Sequence, residues 1–429
     1  MRTLFPVSCL LFLASCLSGA TAGDWPTYMH DAQRSGVTAE QLPTGLARAW
    51  TYPRLLPPGE TWADEAKTDY SVSSGSQRPW KERTVFDRVN NVAVADGHVF
   101  VGSGSEHTVA CLDAVTGERK WLFFTGGPVR MAPTWAEGKI HVGSDDGSAY
   151  CLDAADGSLV WKATPAGAEN RLVPNNGQPV SPWAVRSGVL IDNGTAYFAA
   201  GIFPGENVYL VAADAATGSW TTGAGHWRTT HTNKVSMQGY MLLSPSRVFI
   251  PGGRSNPAYF NRSTGAYLGQ YSDREAAGAF ALLTGDSLYF GRAGRTVGRL
   301  AEGNATASDI ISTISDADAL VVANGINYIL FDTKITAKRR SDGTQLWSTA
   351  AAFPYSLILA GDTLYAGGKN KVAAFNATTG AKTWEAPVRG EARGLAAADE
   401  KLFVSTSEGL LYAFAPDSQS AAQSTIEVR

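Results

Sequence analysis

A unit of roughly forty residues recurs along the chain, and no other feature limits so tightly what it can fold into. Each copy reads as an alternating apolar run, a short Asp/Gly turn, a second run, a Gly-Ser or Gly-Gly step, a third run, and then Asp-Ala-x-Thr-Gly-x-x-x-Trp. Clear instances are Leu112-Asp113-Ala114-Val115-Thr116-Gly117 to Trp121, Leu152-Asp153-Ala154-Ala155-Asp156-Gly157 to Trp161, and Phe375-Asn376-Ala377-Thr378-Thr379-Gly380 to Trp384. Asp214-Ala215-Ala216-Thr217-Gly218 is a further instance, with Trp220 as its tryptophan. Weaker copies stand at Phe260 to Gly265 and at Arg340-Ser341-Asp342-Gly343 to Trp347.

The turn before each second run can be followed where the tryptophan cannot. It falls at Gly97, Gly138, Gly194, Ser246, Asp286, Gly325, Asp362 and Glu400, at spacings of 41, 56, 52, 40, 39, 37 and 38 residues. That makes eight units. A four-stranded sheet of this size cannot bury both of its faces alone, whereas sheets stacked around an axis supply each other's core. The expected fold is all-β: an eight-bladed β-propeller of four-stranded antiparallel blades.

After Ala392 only three runs are visible, around 394–398, 402–406 and 410–414, and the chain then turns polar. The missing fourth strand is expected to be Leu46-Ala47-Arg48-Ala49-Trp50-Thr51-Tyr52, so that the N-terminus closes the ring. In the repeat itself, Asp or Asn ahead of Thr-Gly makes a hairpin turn, with glycine at positive φ and the polar side chain on nearby backbone. The tryptophan then falls on the outermost strand. Asp145-Asp146-Gly147 is read in the same way, as a hairpin turn and not a metal motif.

A formal net charge of -3 over 429 residues gives no basic surface, which argues against nucleic acid as a partner. Residues 1–22 read as an export signal, with one Arg2, an apolar run from Leu4 to Leu17, and small residues before Asp24. Two cleavage readings stand. Leu13-Ala14-Ser15-Cys16 resembles a lipoprotein box, with Cys16 lipidated, while Ala20-Thr21-Ala22 fits ordinary cleavage after Ala22. No later run is long enough for a membrane span. Residues 24–416 then form one domain, followed by a polar tail at 417–429, in a protein expected in the periplasm or outer envelope as a monomer. Cys111 and Cys151 occupy equivalent places in neighbouring units, too far apart for a disulfide, and are expected as buried thiols.

Three connections between units are long: Pro53 to Phe86, Lys162 to Ser181 and Thr221 to Val235. All fall on one half of the ring, where long irregular loops suggest function. Eight residues before each turn marker, at the mouth of the channel, stand Val89, Arg130, Arg186, Gln238, Gly278, Ala317, Pro354 and Ala392, with Arg88, Asp316, Asp318, Tyr355 and Arg393 beside them. The ring is polar and cationic in units one to four. Arg88, Arg130, Arg186 and Gln238, with Asn175, Asn176 and Trp183 from the loops, are candidate ligand-binding residues for a glycan or an anionic group. Arg171, His226, Trp227 and Asn233 lie in the same loops. His231 and Tyr240 are the candidate proton-transfer groups. If the site is enzymatic, these side chains must converge around one open cavity.

The repeat, with the opening Asp24-Trp25-Pro26-Thr27-Tyr28 and Asp31-Ala32-Gln33-Arg34-Ser35-Gly36, resembles the bacterial PQQ-like repeat propellers from about Asp24 to Pro416. These include the lipoprotein scaffold of outer-membrane assembly and, more distantly, the quinoprotein dehydrogenases. The resemblance implies a scaffold or binding module for a protein or glycan partner. A polysaccharide- or anionic-sugar-active enzyme is the alternative, and a PQQ-dependent dehydrogenase a third reading. The quinoproteins carry adjacent cysteines, a calcium site and a catalytic aspartate. This chain has no adjacent cysteines and nothing that matches the calcium site, so no cofactor and no metal are expected.

Overall fold

The structure is a computed structural model describing residues 23–53, 55–61, 69–73, 76–80, 86–167, 171–223, 225–253, 256–271, 280–285, 287–292, 295–300, 303, 310–315 and 317–416. Cys16 and the rest of the export segment, the tail 417–429, Gly278, Asp286 and Asp316 lie outside the described residues.

The chain folds as antiparallel meanders, each running in order from an inner to an outer strand. Val92–Ala95, His98–Ser103, Thr108–Asp113 and Arg119–Phe124 form the first sheet. Five more four-stranded sheets follow, starting at Thr134, Leu190, Leu242, Phe280 and Ala319. The last two repeat units merge. Lys382–Ala398 pairs with Thr363–Asn376 through its first half and with Lys401–Thr406 through its second. One strand therefore ends the seventh unit and begins the eighth, within a seven-stranded sheet. Each of the seven described turn positions falls between the first and second strands of a unit.

Inner and outer strands differ as their places require. All four residues of Val92–Ala95 are buried, because an inner strand is covered on both faces. The outer strand Arg119–Phe124 is exposed or half-buried throughout. Leu46–Tyr52 is the outer strand of the eighth unit as expected, paired from Leu46 opposite Pro416 to Tyr52 opposite Leu411 with a one-residue register shift between Arg48 and Trp50. The inner part of Lys382–Ala398 lies beside Val92–Ala95, so the ring is closed.

Neighbouring blades are joined by a recurring latch. The indole N–H of Trp50 donates to the Ala114 carbonyl at 3.2 Å, Trp121 to Ala154 at 2.9 Å, Trp161 to Ala215 at 2.9 Å and Trp347 to Ala377 at 2.9 Å. Each acceptor is the alanine of the next unit's Asp/Asn-Ala-x-Thr/Asp-Gly turn, and the indole lies against that turn's glycine. A Cβ on Gly117 would come within 2.7 Å of the Trp50 ring. Gly117 has φ +71°, and Asp113 Oδ1 accepts from Val115 N and Thr116 N, so the turn has the chemistry read from its sequence.

Blade three corrects that reading in one place. Its outer strand is Trp227–His231, not a segment at Trp220. Eight residues separate Gly218 from Trp227 where the repeat has three, and it is Trp227 that lies against Gly265 of the next blade. The middle of the connection from Thr221 to Val235, Trp227–His231, is therefore sheet. The other two long connections each contain a hairpin, Asp69–Ser73 with Ser76–Trp80 and Val173–Asn175 with Gln178–Val180.

The opening motif forms a strap across one end of the channel. Asp399 N donates to Gly23 O, Trp25 exchanges two backbone bonds with Val94, Trp135 N donates to Pro26 O, Leu243 N to Ala32 O, Leu283 N to Gln33 O and Leu359 N to Gly36 O. These partners lie on or beside the inner strands of blades eight, one, two, four, five and seven, at their turn ends. Arg34 is buried and donates to the carbonyls of Met241, Tyr28 and Asp31 and to Thr27 Oγ1, which holds the strap's own fold together. Cys111 and Cys151 are free and buried, and burial pushes both thiols up to about 12.

Candidate functional site

The end of the channel opposite the strap carries the cationic ring, and its arginines are bonded inward. Asp145 sits in the turn between the second and third strands of blade two, 1% exposed. Arg186 grips it with two bonds, Nε to Oδ1 and Nη2 to Oδ2, each 2.8 Å. Arg130 Nε bonds Asp145 Oδ2 at 2.5 Å. Burial alone would raise the Asp145 carboxyl, but Arg186 and Arg130 outweigh it and hold it below the ordinary carboxylate range.

Described parts of two of the long connections fold down onto this pair. Arg186 Nη2 also donates to Asn175 Oδ1 at 2.8 Å. Arg130 Nη1 donates to the Gly59 carbonyl and lies 3.5 Å from Asp87, whose carboxylate accepts from Thr61 N and Thr61 Oγ1. Asn176, at φ 47° in the hairpin turn, donates to Glu60 O at 2.6 Å, and Gln178 Oε1 meets His107 Nε2 at 3.0 Å. The segment around Gly59 and the hairpin of 173–180 are thereby tied to each other and to blades one to three. Two arginines face two aspartates, so the cluster is formally neutral. The sequence reading found Arg130, Arg186 and Asn175 but missed Asp145, assigning it to the turn. Its neighbour Asp146 does the turn's capping, accepting from Ser148 N at 3.0 Å.

The remaining candidates are placed elsewhere. Trp183 is buried, its indole donating to Glu206 O at 3.0 Å with Arg171 over the ring. Arg88 is half-buried and couples to Tyr355 and Glu391 on the other half of the ring, where Arg393 lies 4.4 Å over the Tyr355 ring. Tyr240 lies deeper, stacked at 3.6 Å on Tyr28 of the strap, with its hydroxyl accepting from Ala132 N at 2.8 Å. Burial pushes that hydroxyl further up, so it stays protonated. Phe86, Met131 and Ala132 complete this apolar floor. His231 belongs to the outer strand of blade three, against Phe260 of blade four at 5.1 Å, and burial lowers its pKa. Among the described residues no hydrogen bond or ring contact joins it to Tyr240, Arg130 or Arg186. The convergence expected of a catalytic constellation is thus not formed by these residues: His231 is on an outer strand, Tyr240 is in the floor, and the arginines are engaged with Asp145.

A cavity of about 70 Å³ lies away from this mouth, at the closure seam, lined by Leu42, Thr363, Tyr365 and Trp384 among others. No group of three or more His, Cys, Asp or Glu among the described residues could hold a metal ion.

Solved structures share the fold at low identity. Quinohemoprotein alcohol dehydrogenase from Comamonas testosteroni is 14% identical with a TM-score of 0.64, covering 95% of this chain and 82% of that one. The computationally designed Ika8 protein is 12% identical with a TM-score of 0.57, covering 78% and 98%. Sqt1 from Saccharomyces cerevisiae is 13% identical with a TM-score of 0.56, covering 85% and 100%. No curated protein sequence matches the chain. The family profile described as outer membrane protein assembly factor BamB matches residues 71–219, 123–302 and 194–425.

The chain belongs to the BamB family.

Three overlapping matches of one profile are what a closed array of like units produces, since the profile can be laid on the ring in more than one register. Family membership agrees with the PQQ-like repeat resemblance, and the dehydrogenase likeness, at 14% identity, is a likeness of fold alone. The described residues do not fit a quinone cofactor. Stacked Tyr28 and Tyr240 fill the floor of this BamB-family channel, and Cys111 and Cys151 are single thiols on separate blades. No helix among the described residues is long and apolar enough to cross a membrane.

Proposed function

We propose that this BamB-family propeller is an exported cell-envelope scaffold that docks a protein partner on its loop-bearing end. The observation that carries the reading is the engagement of Arg130 and Arg186 with Asp145. Groups that would have served an anionic substrate instead clamp the segment around Gly59 and the hairpin of 173–180 into a fixed relief. Rigid loops on a rigid ring suit recognition, because little ordering entropy remains to be lost on binding. On that relief stand exposed apolar side chains, Leu172 beside the Arg171–Glu206 ion pair, Phe203 next to that pair's other end, and Leu56.

Membership in a family described by outer-membrane assembly makes an outer-membrane assembly component the partner to test first. A glycan partner is the other form of the same reading. The sugar-active enzyme alternative lacks the convergence it requires. The test is cross-linking and co-purification from envelopes with the wild-type chain, Leu172→Glu and, on a different face, Leu346→Glu. Leu172→Glu is expected to lower recovery of the assembly component by about tenfold, the loss that ~1.4 kcal/mol of contact energy gives, with Tm unchanged. Equal recovery from all three proteins, or turnover of a polysaccharide, refutes the reading.

A further inference from the structure

We propose that Arg186 and Gln238 hold a neutral hydroxylic guest at the channel mouth, its oxygen supplied by an ordered water or by a small polyol. This site does not depend on the docking reading.

Arg186 and Gln238 are partners in a parallel β-bridge, which puts their side chains on the same side of adjacent blades three and four. Both are more than nine-tenths buried. Arg186 uses Nε and Nη2 on Asp145 and Asn175, leaving Nη1 without a partner. Gln238 donates from Nε2 to Ser236 Oγ at 2.6 Å, leaving Oε1 without a partner. A buried polar atom deprived of both water and protein partners is rare, because its desolvation goes uncompensated. Here two such atoms occur on neighbouring residues, one a donor and one an acceptor.

That complementarity selects the guest. Its oxygen must accept from Nη1 and donate to Oε1. A hydroxyl does both. Sulfate, chloride or a carboxylate only accepts and would set negative charge against Oε1, while a metal cation or ammonium would satisfy Oε1 and repel the guanidinium. Formal charge agrees, since Asp87 and Asp145 already balance Arg130 and Arg186. The floor beneath is closed by Tyr240, whose ring packs on Gly188 just beyond Arg186, so the guest rests on the mouth side.

The experiment is crystallography of the whole exported chain at a resolution that shows ordered water, from crystals free of polyol, from crystals soaked in glycerol, and from crystals soaked in sulfate, together with Gln238→Met. A single oxygen peak within hydrogen-bond distance of Nη1 and Oε1 identifies water. A glycerol hydroxyl in the same place identifies a polyol site. Either supports the proposal, and the peak is expected to vanish in Gln238→Met. An empty position, a direct bond between the two side chains, or sulfate between them overturns it. Should Gln238→Met not fold, the wild-type crystals alone decide.

Discussion

The indole of Trp384 donates its N–H to the Leu46 carbonyl at 2.7 Å, a bond across 338 positions of sequence that fastens the seventh blade to the N-terminal strand of the eighth. Its ring also meets Phe414 edge-on at 5.3 Å. Trp384→Phe keeps an aromatic ring and loses the N–H, for an expected loss of about 1 kcal/mol in denaturant unfolding. Trp384→Ala removes the packing as well and is expected to cost about 3–5 kcal/mol.

Two glycines separate backbone strain from the inter-blade contact. Gly97 and Gly117 have φ +70° and +71°, but a Cβ on Gly97 meets nothing within 4 Å, whereas one on Gly117 meets the Trp50 ring at 2.7 Å. Gly97→Ala is expected to lose about 1–2 kcal/mol, the strain of a left-handed alanine. Gly117→Ala adds an overpacking cost of about 1–3 kcal/mol. Equal losses in urea titrations would mean that the indole moves aside freely.

Asp145 compensates two buried cations, and Asp145→Asn leaves both without it. The expected loss is about 3–5 kcal/mol, as for breaking a buried pair. The native carboxyl is held below the ordinary value, so its contribution is present above the unfolded-state pKa and is lost as pH falls through the folded one. The gap in stability between wild type and Asp145→Asn should therefore narrow only in strong acid. A gap that shrinks between pH 8 and pH 6 would contradict this assignment.

Asp399 titrates in the opposite sense. Burial raises its carboxyl, and Asp24 and Asp96 raise it further, against Lys401 and His98. Glu40, with its buried Oε2 unpartnered, is raised by burial and by the charges of Asp399 and Glu400. A raised acid destabilises the fold above its folded pKa and is relieved as pH falls through that value toward the model-peptide range. Asp399→Asn is accordingly expected to raise Tm at neutral pH and to leave it unchanged at pH 3. A lowered Tm at neutral pH would show that the carboxylate's own bonds outweigh the repulsion.

Local chemistry with a period could be read from the sequence. The seven described turns, the Asp113-type caps and Leu46–Tyr52 as the closing strand stand where the repeat put them. Trp220 was misassigned because the insertion after Gly218 moves the outer strand on to Trp227 while leaving a nearer tryptophan in place. The strap was visible only as a motif. Its bonds go to six separate blades, and contacts of that range leave no period to follow. Arg130, Arg186 and Asn175 were found together because they share a ring position or a long loop, whereas Asp145 was hidden by an Asp-Asp-Gly turn in which Asp146 takes the local role. His231 and Tyr240 were grouped with the long loops at the channel mouth, and the sheet sends one to the rim and the other to the axis.

The strand from Leu46 to Tyr52 leaves the ribosome long before Leu411–Pro416, the strand it pairs with. Until the last segment is made, the eighth sheet lacks the edge against which that early strand can be zipped, and Trp50 has just one of its two neighbours. Folding of the circle is therefore obligatorily late, with loop-closure entropy near its maximum for this chain length. A truncation that removes Leu411–Pro416 should strand the beginning of the protein as well as its end, exposing both to proteases in a single step.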